Sequence, residues 1–168
     1  MAATEHDLMA RLAELGIDHT TYRHSAVFTV GESRAHCGHI PGCHCKNLFL
    51  KDKKGVLWLV VARDDAPISM KQLDRQIGSA RLSFGKAELL GEVLGVIPGA
   101  VTPFALINDT EQQVNVILDQ TMMGAEIVNY HPLTNEATTS LAPDALLAFI
   151  RSCGHEPQIM NVDASDDG

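Results

Sequence analysis

Leu48 and Leu50 alternate along the chain with Asn47, Phe49 and Lys51, which is the period of a β-strand with two different faces. The next residues, Lys51–Gly55, are polar and end in glycine, as in a turn. The run from 56 to 62 is almost continuously apolar, which is typical of a fully buried strand. The pattern predicts a central β-hairpin with Lys46 held on rigid backbone at its mouth.

Helices are predicted where a capping residue precedes apolar residues spaced three to four apart. Thr4 with Asp7 begins the first helix, whose buried stripe is Leu8, Leu12 and Leu15. Further helices are expected from Thr29 to about Cys37, after Ser69, over 85–90 and over 144–153.

Short strands are predicted by apolar runs bounded by turn residues. Besides the central hairpin, we expect strands over 19–24, 104–107, 114–118, 127–131 and 137–140. The last two should close as a hairpin around Pro132–Asn135. These elements indicate one α/β mixed (α+β) domain over 1–168, with a largely antiparallel mixed sheet and helices around it. The polar, acidic end, 157–168, is expected to fray.

Composition narrows the class of protein. A formal net charge of −8 argues against a protein that wraps nucleic acid through many phosphate contacts, but permits one that grips a strand end. Four of the six lysines fall between positions 46 and 54, which makes a local basic mouth on an acidic body. Neither a membrane-spanning run nor a signal peptide is evident, so we expect a soluble, cytoplasmic protein.

Histidines and cysteines cluster between His36 and Cys45, as they do in some zinc sites. The Cys43-x-Cys45 spacing departs from the usual two to four intervening residues. Cys45 and Lys46 also enter a strand, where neighbouring side chains point to opposite faces and cannot share a metal. We therefore favour small apolar roles for the cysteines and expect no metal and no cofactor. A zinc protein remains the alternative.

Nucleophilic catalysis finds little support in the chain. His44 is adjacent to both Cys43 and Cys45 but points away from them if the segment is extended. A Gly-x-Ser-x-Gly motif, a phosphate-cradling loop and a paired-carboxylate signature are all missing from the sequence.

Three features offer binding chemistry, each with a plainer alternative. Lys46 suits an anionic group, or is a solvated edge-strand lysine. The Gly95–Pro103 loop suits a backbone clamp for a small polar ligand, or is only a rigid turn. His131, placed before Pro132 at a strand end, is either a site residue or a satisfied histidine.

Three motifs resemble the YbaK/prolyl-tRNA editing-domain family, most closely its free-standing members of the ProX (PrdX) type. They are His44–Asp52, containing Lys-Asn-Leu-Phe-Leu-Lys-Asp, the loop Gly99–Pro103, and Asn129–Asn135. The similarity covers nearly the whole chain, and the lysine-containing run is its most specific part. Cys43 and Cys45 depart from the glycine and small polar residue usual in such relatives, which leaves redox sensitivity at the mouth open.

The resemblance implies a strongly curved, barrel-like mixed sheet ringed by helices. It also implies an enzyme that hydrolyses mischarged tRNA(Pro), foremost Ala-tRNA(Pro), with the terminal ribose hydroxyl assisting the water. Lys46 would anchor the terminal adenosine end with Asn47 in support, and His131 would narrow the amino-acid pocket. The backbone of the loop Gly99, Ala100, Val101, Thr102 and Pro103 would position the ester and ribose.

Alternatives stay open within and outside this family. A deacylase for Cys-tRNA(Pro) or another small aminoacyl group is the runner-up, and a non-catalytic module that binds the tRNA end is the second. A transient partnership with prolyl-tRNA synthetase is also left open, whereas no membrane partner is expected.

Overall fold

The chain folds as a mixed β-sheet with helices packed on it, in a computed structural model that describes residues 2–27 and 38–165. The described α-helices are α1 (Glu5–Glu14), α2 (Met70–Ile77), α3 (Ala87–Leu94) and α4 (Pro143–Ser152). The described strands are β1 (Thr20–Arg23), β2 (Cys43–Asp52), β3 (Leu57–Arg63), β4 (Leu82–Phe84), β5 (Val114–Asp119), β6 (Val128–Tyr130), β7 (Ala137–Leu141) and β8 (Gln158–Met160). Short 3-10 helices span Pro98–Ala100, Pro103–Asn108 and Met122–Gly124.

Within the described residues, the sheet has the order β1-β7-β6-β2-β3-β5-β8, with β4 paired to the edge of β2. Antiparallel pairs join β1 to β7, β6 to β7, and β2 to both β3 and β4. Parallel pairs join β2 to β6, β3 to β5 and β5 to β8. The predicted α/β mixed fold is confirmed, and so are the central hairpin and the hairpin of β6 with β7.

Both faces of β3 are covered, as its unbroken apolar run predicts. Leu59 and Val61 pack in the main core with helices α1, α3 and α4. Val60 and Ala62, on the opposite face, pack in a second cluster with α2. This two-sided burial makes β3 the rigid support for β2, the strand that carries Lys46.

Helix α1 begins as its sequence predicts. The Thr4 hydroxyl accepts a hydrogen bond from the Asp7 amide, and the Asp7 carboxylate accepts one from the Thr4 amide, which completes a capping box. Leu8 and Leu12 are fully buried, but Leu15 is 38% exposed because it lies past the last helical turn.

Two predicted elements differ in the structure. The expected strand over 104–107 is a 3-10 helix, because Pro103 stands at its first position and the Thr102 hydroxyl caps the Phe104 amide. Within the segment expected to fray from 157, Gln158–Met160 forms β8 on the edge of β5. The helix predicted over 29–37 lies outside the described residues.

Among the helices of residues 2–27 and 38–165, none is long and apolar enough to cross a bilayer.

Candidate functional site

The candidate site lies where β2 and β6 part. These parallel strands pair only through Cys43 with Val128 and His44 with Asn129. Beyond that point β2 continues with β3 and β6 turns into β7, so the sheet opens between them. A cavity of about 20 Å³ occupies the opening. Openings between diverging strands are common places for ligands in α/β proteins.

The lining of this cavity is mostly polar and comes from three strands. It consists of His44, Cys45, Asn47, Asn129, Tyr130, His131 and Thr138. Asn47 and His131, which are 84 positions apart in the chain, are thus brought together. The volume is enough for about one water molecule.

His131 is fixed in orientation by the hairpin it belongs to. Its Nδ1 lies 2.8 Å from the carbonyl oxygen of Ala137, so in the neutral ring Nδ1 carries the proton and donates it to that oxygen. Burial lowers the pKa of His131 below its ordinary value of 6.5, and nearby His24 adds to the effect. The imidazole is therefore a neutral wall at physiological pH, with Nε2 left as an acceptor.

His24 supports this wall from the first strand. The two imidazole rings have their centroids 6.1 Å apart, and Nε2 of His24 lies 2.8 Å from the hydroxyl of Thr138. Neither His24 nor Thr138 was identified from the sequence. Thr138 could have been found from the predicted hairpin, which places the 137–140 strand beside His131.

Asn47 brings an unusual feature to the cavity. Its Oδ1 atom is buried, and no donor in the described part of the chain lies within hydrogen-bond distance of it. A buried carbonyl without a partner costs roughly 1–3 kcal/mol, so this atom favours a ligand or a water that donates to it.

Asn129 fixes the start of the opening. Its amide nitrogen donates to the carbonyl oxygens of Pro41 at 3.1 Å and Cys43 at 3.2 Å. The Ser140 hydroxyl donates in turn to its Oδ1. Asn129 therefore joins its own strand β6 by hydrogen bonds to the start of β2 and to β7. The sequence motif alone does not indicate this role.

Lys46 projects to the other face of β2 from Asn47. It pairs across the hairpin with Ala62, and its Nζ donates a 2.7 Å hydrogen bond to the carbonyl oxygen of Ala66. His44, which also lines the cavity, has its Nε2 2.8 Å from the carbonyl oxygen of Ile40. An ammonium has three donors, and residues 2–27 and 38–165 engage one of those of Lys46, which leaves two for a ligand on this side of the strand.

The pKa values of the two cysteines of β2 are shifted in opposite directions. Burial raises the pKa of Cys45 well above its ordinary value, so the thiol that lines the cavity stays protonated at neutral pH. A hydrogen bond from Cys45 lowers the pKa of Cys43. Among the residues described, no three His, Cys, Asp or Glu side chains gather in a metal-binding group. His36 and Cys37 of the predicted cluster lie outside them.

The Gly99–Pro103 loop is not part of the cavity lining. It is connected to the site through the hydrophobic core. Gly99 lies in the first 3-10 helix, Ala100, Thr102 and Pro103 are buried, and Val101 packs on the main core. Phe104, which follows the loop, contacts the ring of Tyr130 edge-on at 6.0 Å between centroids. The loop is thus rigidly connected to the β6 side of the opening.

Comparison with known proteins agrees with this arrangement of motifs. The model of the aminoacyl-tRNA editing domain family matches residues 24–149. A prolyl-tRNA synthetase associated domain-containing protein 1 of Danio rerio is 41% identical over 154 residues, covering 90% of this chain and 84% of the relative. The prolyl-tRNA editing protein ProX of Acetoanaerobium sticklandii is 36% identical over 149 residues, covering 88% and 91%.

The solved structure of a candidate trans-editing enzyme for prolyl tRNA synthetase has the same fold. Its TM-score is 0.74 at 20% identity, with 98% of this chain and 99% of that chain covered. The family match spans most of the chain and includes the strand β2, the Gly99–Pro103 loop and His131. The chain belongs to the aminoacyl-tRNA editing domain family.

Proposed function

We propose that this protein is a trans-editing hydrolase that deacylates mischarged tRNA(Pro), with Ala-tRNA(Pro) as its main substrate. The observation that carries the proposal is the small, neutral-walled cavity at the parting of β2 and β6. A curated relative at 36% identity is named a prolyl-tRNA editing protein, which supports the choice of tRNA.

The size of the cavity supports a small aminoacyl group. Its volume of about 20 Å³, space for about one water molecule, favours a small aminoacyl group over one with a pyrrolidine ring. A site that is too small for the correct amino acid rejects it by steric clash, whereas a synthetase pocket distinguishes one methylene by only about 1–3 kcal/mol. The proposed enzyme therefore acts as a second sieve that admits alanine and excludes proline.

The reacting groups in this proposal come mainly from the substrate. The Cys45 thiol is held protonated, so it is not set up as a nucleophile. The free hydroxyl of the terminal ribose would assist the attacking water. The ester carbonyl carbon gains the water oxygen and the ribose oxygen leaves with a proton, which yields free alanine and tRNA.

The placement of the side chains supports the following binding roles. Lys46, with two donors left, would pin the terminal adenosine end through a charge-assisted hydrogen bond. The unpaired Oδ1 of Asn47 would accept from a substrate donor inside the opening. Gly99 through Pro103 would position the ester and ribose with their backbone. A transient association with prolyl-tRNA synthetase fits the same proposal.

The test is a deacylation panel. Purified protein is incubated with alanyl-, cysteinyl-, seryl- and prolyl-tRNA(Pro), and kcat/KM is measured for the release of each amino acid. We expect alanine to be released fastest and prolyl-tRNA(Pro) to remain intact. Faster release of cysteine would support the runner-up specificity, and binding without any release would reduce the protein to a module for the tRNA end.

The cysteines provide a control for the mechanism. The double variant Cys43→Ser with Cys45→Ser should keep most of the alanyl-tRNA(Pro) activity, because the proposed reaction uses no thiol. Loss of activity in a variant that still folds, as judged by circular dichroism, would contradict the substrate-assisted mechanism.

A further inference from the structure

A second concavity lies toward the other end of β2, outside the site described above. This basic groove has a volume of about 750 Å³ and is lined by the end of β2, by β4, by α3 and by residues next to these elements. Four exposed cationic side chains line it: Lys51, Lys53, Arg81 and Lys86. Such a concentration of positive charge, on a chain of formal net charge −8, attracts an anionic partner to one place.

The cations of the basic groove are available for a ligand. In the described ranges, 2–27 and 38–165, ion pairs engage Arg23, Arg63, Arg151 and His155, and none engages a cation of the groove. The carboxylates of Glu88 and Glu92 lie on the α3 side of the groove. An anionic strand would therefore follow the side formed by β2 and β4.

Asp52 also lines the groove, but its charge is directed inward. Its carboxylate accepts hydrogen bonds from the amides of Lys54 at 2.9 Å, Val56 at 3.0 Å and Ala80 at 3.2 Å. Burial alone would raise the pKa of Asp52. The hydrogen bonds, which also stabilise the hairpin turn, have the larger effect together, so the pKa of Asp52 is lowered. The Asp52 carboxylate therefore stabilises the fold and is directed away from the positive face of the groove.

An aromatic ring lies among these cations. Phe84, the last residue of β4, is 62% exposed and lines the groove, although a phenylalanine normally gains from burial. Its strand is held on β2 by pairing with Leu50. An exposed ring on rigid backbone beside cations is the combination with which proteins bind single-stranded nucleic acid, since the ring stacks on a base and the cations follow the phosphates.

The groove and the candidate site are joined by β2. Asn47 at the site and Lys51 in the groove are four residues apart on one strand, roughly 13 Å at the rise of extended chain. At about 3.4 Å for each stacked nucleotide, that distance corresponds to some four nucleotides.

We propose that the basic groove binds the unpaired 3′ strand of the tRNA whose terminal adenosine reaches the candidate site. Lys51, Lys53 and Arg81 contact phosphates, and Phe84 stacks on a base upstream of the terminal adenosine. This inference rests on the proposed function, to which it adds the route of the RNA over the protein surface.

Binding of uncharged RNA tests the groove separately from hydrolysis. A 5′-fluorescein-labelled single-stranded RNA with the 3′ sequence of tRNA(Pro) is titrated with the full-length protein, and its anisotropy is followed at several salt concentrations. We expect the double variant Lys51→Ala with Lys53→Ala to bind more weakly. Its plot of log affinity against log salt should be shallower by about 0.7 for each phosphate that the variant no longer neutralises.

The matched control removes the same charge outside the groove. Lys54 and Lys71 are exposed and do not line it, so the double variant Lys54→Ala with Lys71→Ala should keep the wild-type affinity and salt slope. Equally weakened binding in both double variants, or unchanged binding in the groove variant, would overturn the proposal.

Phe84 is tested by comparing two substitutions. Phe84→Ala should lower RNA affinity by roughly tenfold, the scale of one stacked base, while Phe84→Tyr keeps the ring and should bind like wild type. Equal affinity of all three proteins would overturn the stacking role. A polyglutamate peptide that displaces the labelled RNA as well as unlabelled RNA does would assign the groove to an acidic protein segment instead. Wild type that binds RNA in this way but releases no amino acid would contradict the proposed function and leave the groove intact.

Discussion

At the scale of single residues, the site depends on side chains whose surroundings fix one orientation. His131 was identified from its place before Pro132 and from the family motif, and the structure adds the reason for its rigidity. The carbonyl oxygen of Ala137 holds one ring nitrogen, and His24 packs against the ring. A neutral, fixed ring can limit the size of the group beside it.

The substitution His131→Ala should relax selection by size. It enlarges the cavity, so a larger aminoacyl group gains about 1–3 kcal/mol in transition-state binding relative to alanine. The measurement is the ratio of kcat/KM for seryl-tRNA(Pro) to that for alanyl-tRNA(Pro), in wild type and variant. If both substrates slow equally and the ratio stays fixed, His131 acts in proton transfer and the sieve is excluded.

Lys46→Ala should reduce deacylation with the fold preserved. Removal of a charge-assisted hydrogen bond to the substrate costs on the order of 1.5–3 kcal/mol, or about 10- to 150-fold in kcat/KM. Lys54→Ala, at an exposed lysine of the hairpin turn, is the control and should remain active. Near-wild-type kcat/KM in Lys46→Ala, with unchanged thermal unfolding of both proteins, would rule out its role as an anchor.

At the scale of elements, the opening between β2 and β6 depends on how closely the two chain segments approach each other where these strands begin. Gly42 precedes β2 with a φ of +106°, and the Cys43 amide donates to the Ile127 carbonyl oxygen at 2.8 Å. A Cβ at position 42 would lie 2.9 Å from that same oxygen and 2.7 Å from the Ile127 side chain. Only glycine permits this approach together with this backbone conformation.

Gly42→Ala should therefore destabilise the protein by about 1–3 kcal/mol, through both the positive φ and the clash with Ile127. Gly16→Ala is the matched control, because Gly16 also has a positive φ but nothing lies within 4 Å of its added Cβ. Urea unfolding monitored by circular dichroism should give the larger decrease in stability for Gly42→Ala. Equal decreases would mean that the approach of β2 to Ile127 adds no constraint.

At the scale of the whole molecule, an ion-pair network ties the end of the chain to the sheet that carries the site. Arg63, at the end of β3, donates to Asp119 at 2.9 Å and to both carboxylate oxygens of Asp163 at 2.7 and 2.8 Å. Asp163 raises the pKa of Arg63. Asp119 is fully buried, and the Arg63 guanidinium lies beside its carboxylate as the countercharge.

Arg63→Ala should lower the free energy of unfolding by about 3 kcal/mol, since it leaves the buried Asp119 carboxylate without its countercharge. Arg151→Ala is the comparison, because its bidentate pair with Glu156 is exposed to solvent and should contribute far less to stability. Urea denaturation of the two variants measures the difference. Equal and small decreases would show that Asp119 is satisfied by its backbone donors alone.

Elements that are specified by neighbouring residues could be predicted from the sequence alone. Apolar period and capping chemistry are properties of neighbouring residues, so α1, the central hairpin, the β6–β7 hairpin and the family motifs could be predicted from the chain. The segment 104–107 was predicted wrongly because a four-residue apolar run does not distinguish a strand from a helical turn, and Pro103 favoured the latter.

How those elements pack together depends on long-range contacts, which are seen only in the folded structure. The parallel pairing of β2 with β6 joins residues about 85 positions apart, and no local pattern specifies where that pairing ends. The edge of β5 gave Gln158–Met160 a partner, which the polar composition of the tail does not indicate. The cavity, the unpaired Asn47 oxygen and the basic groove all arise from such long-range contacts, because each is formed by side chains that become neighbours only when the sheet is assembled.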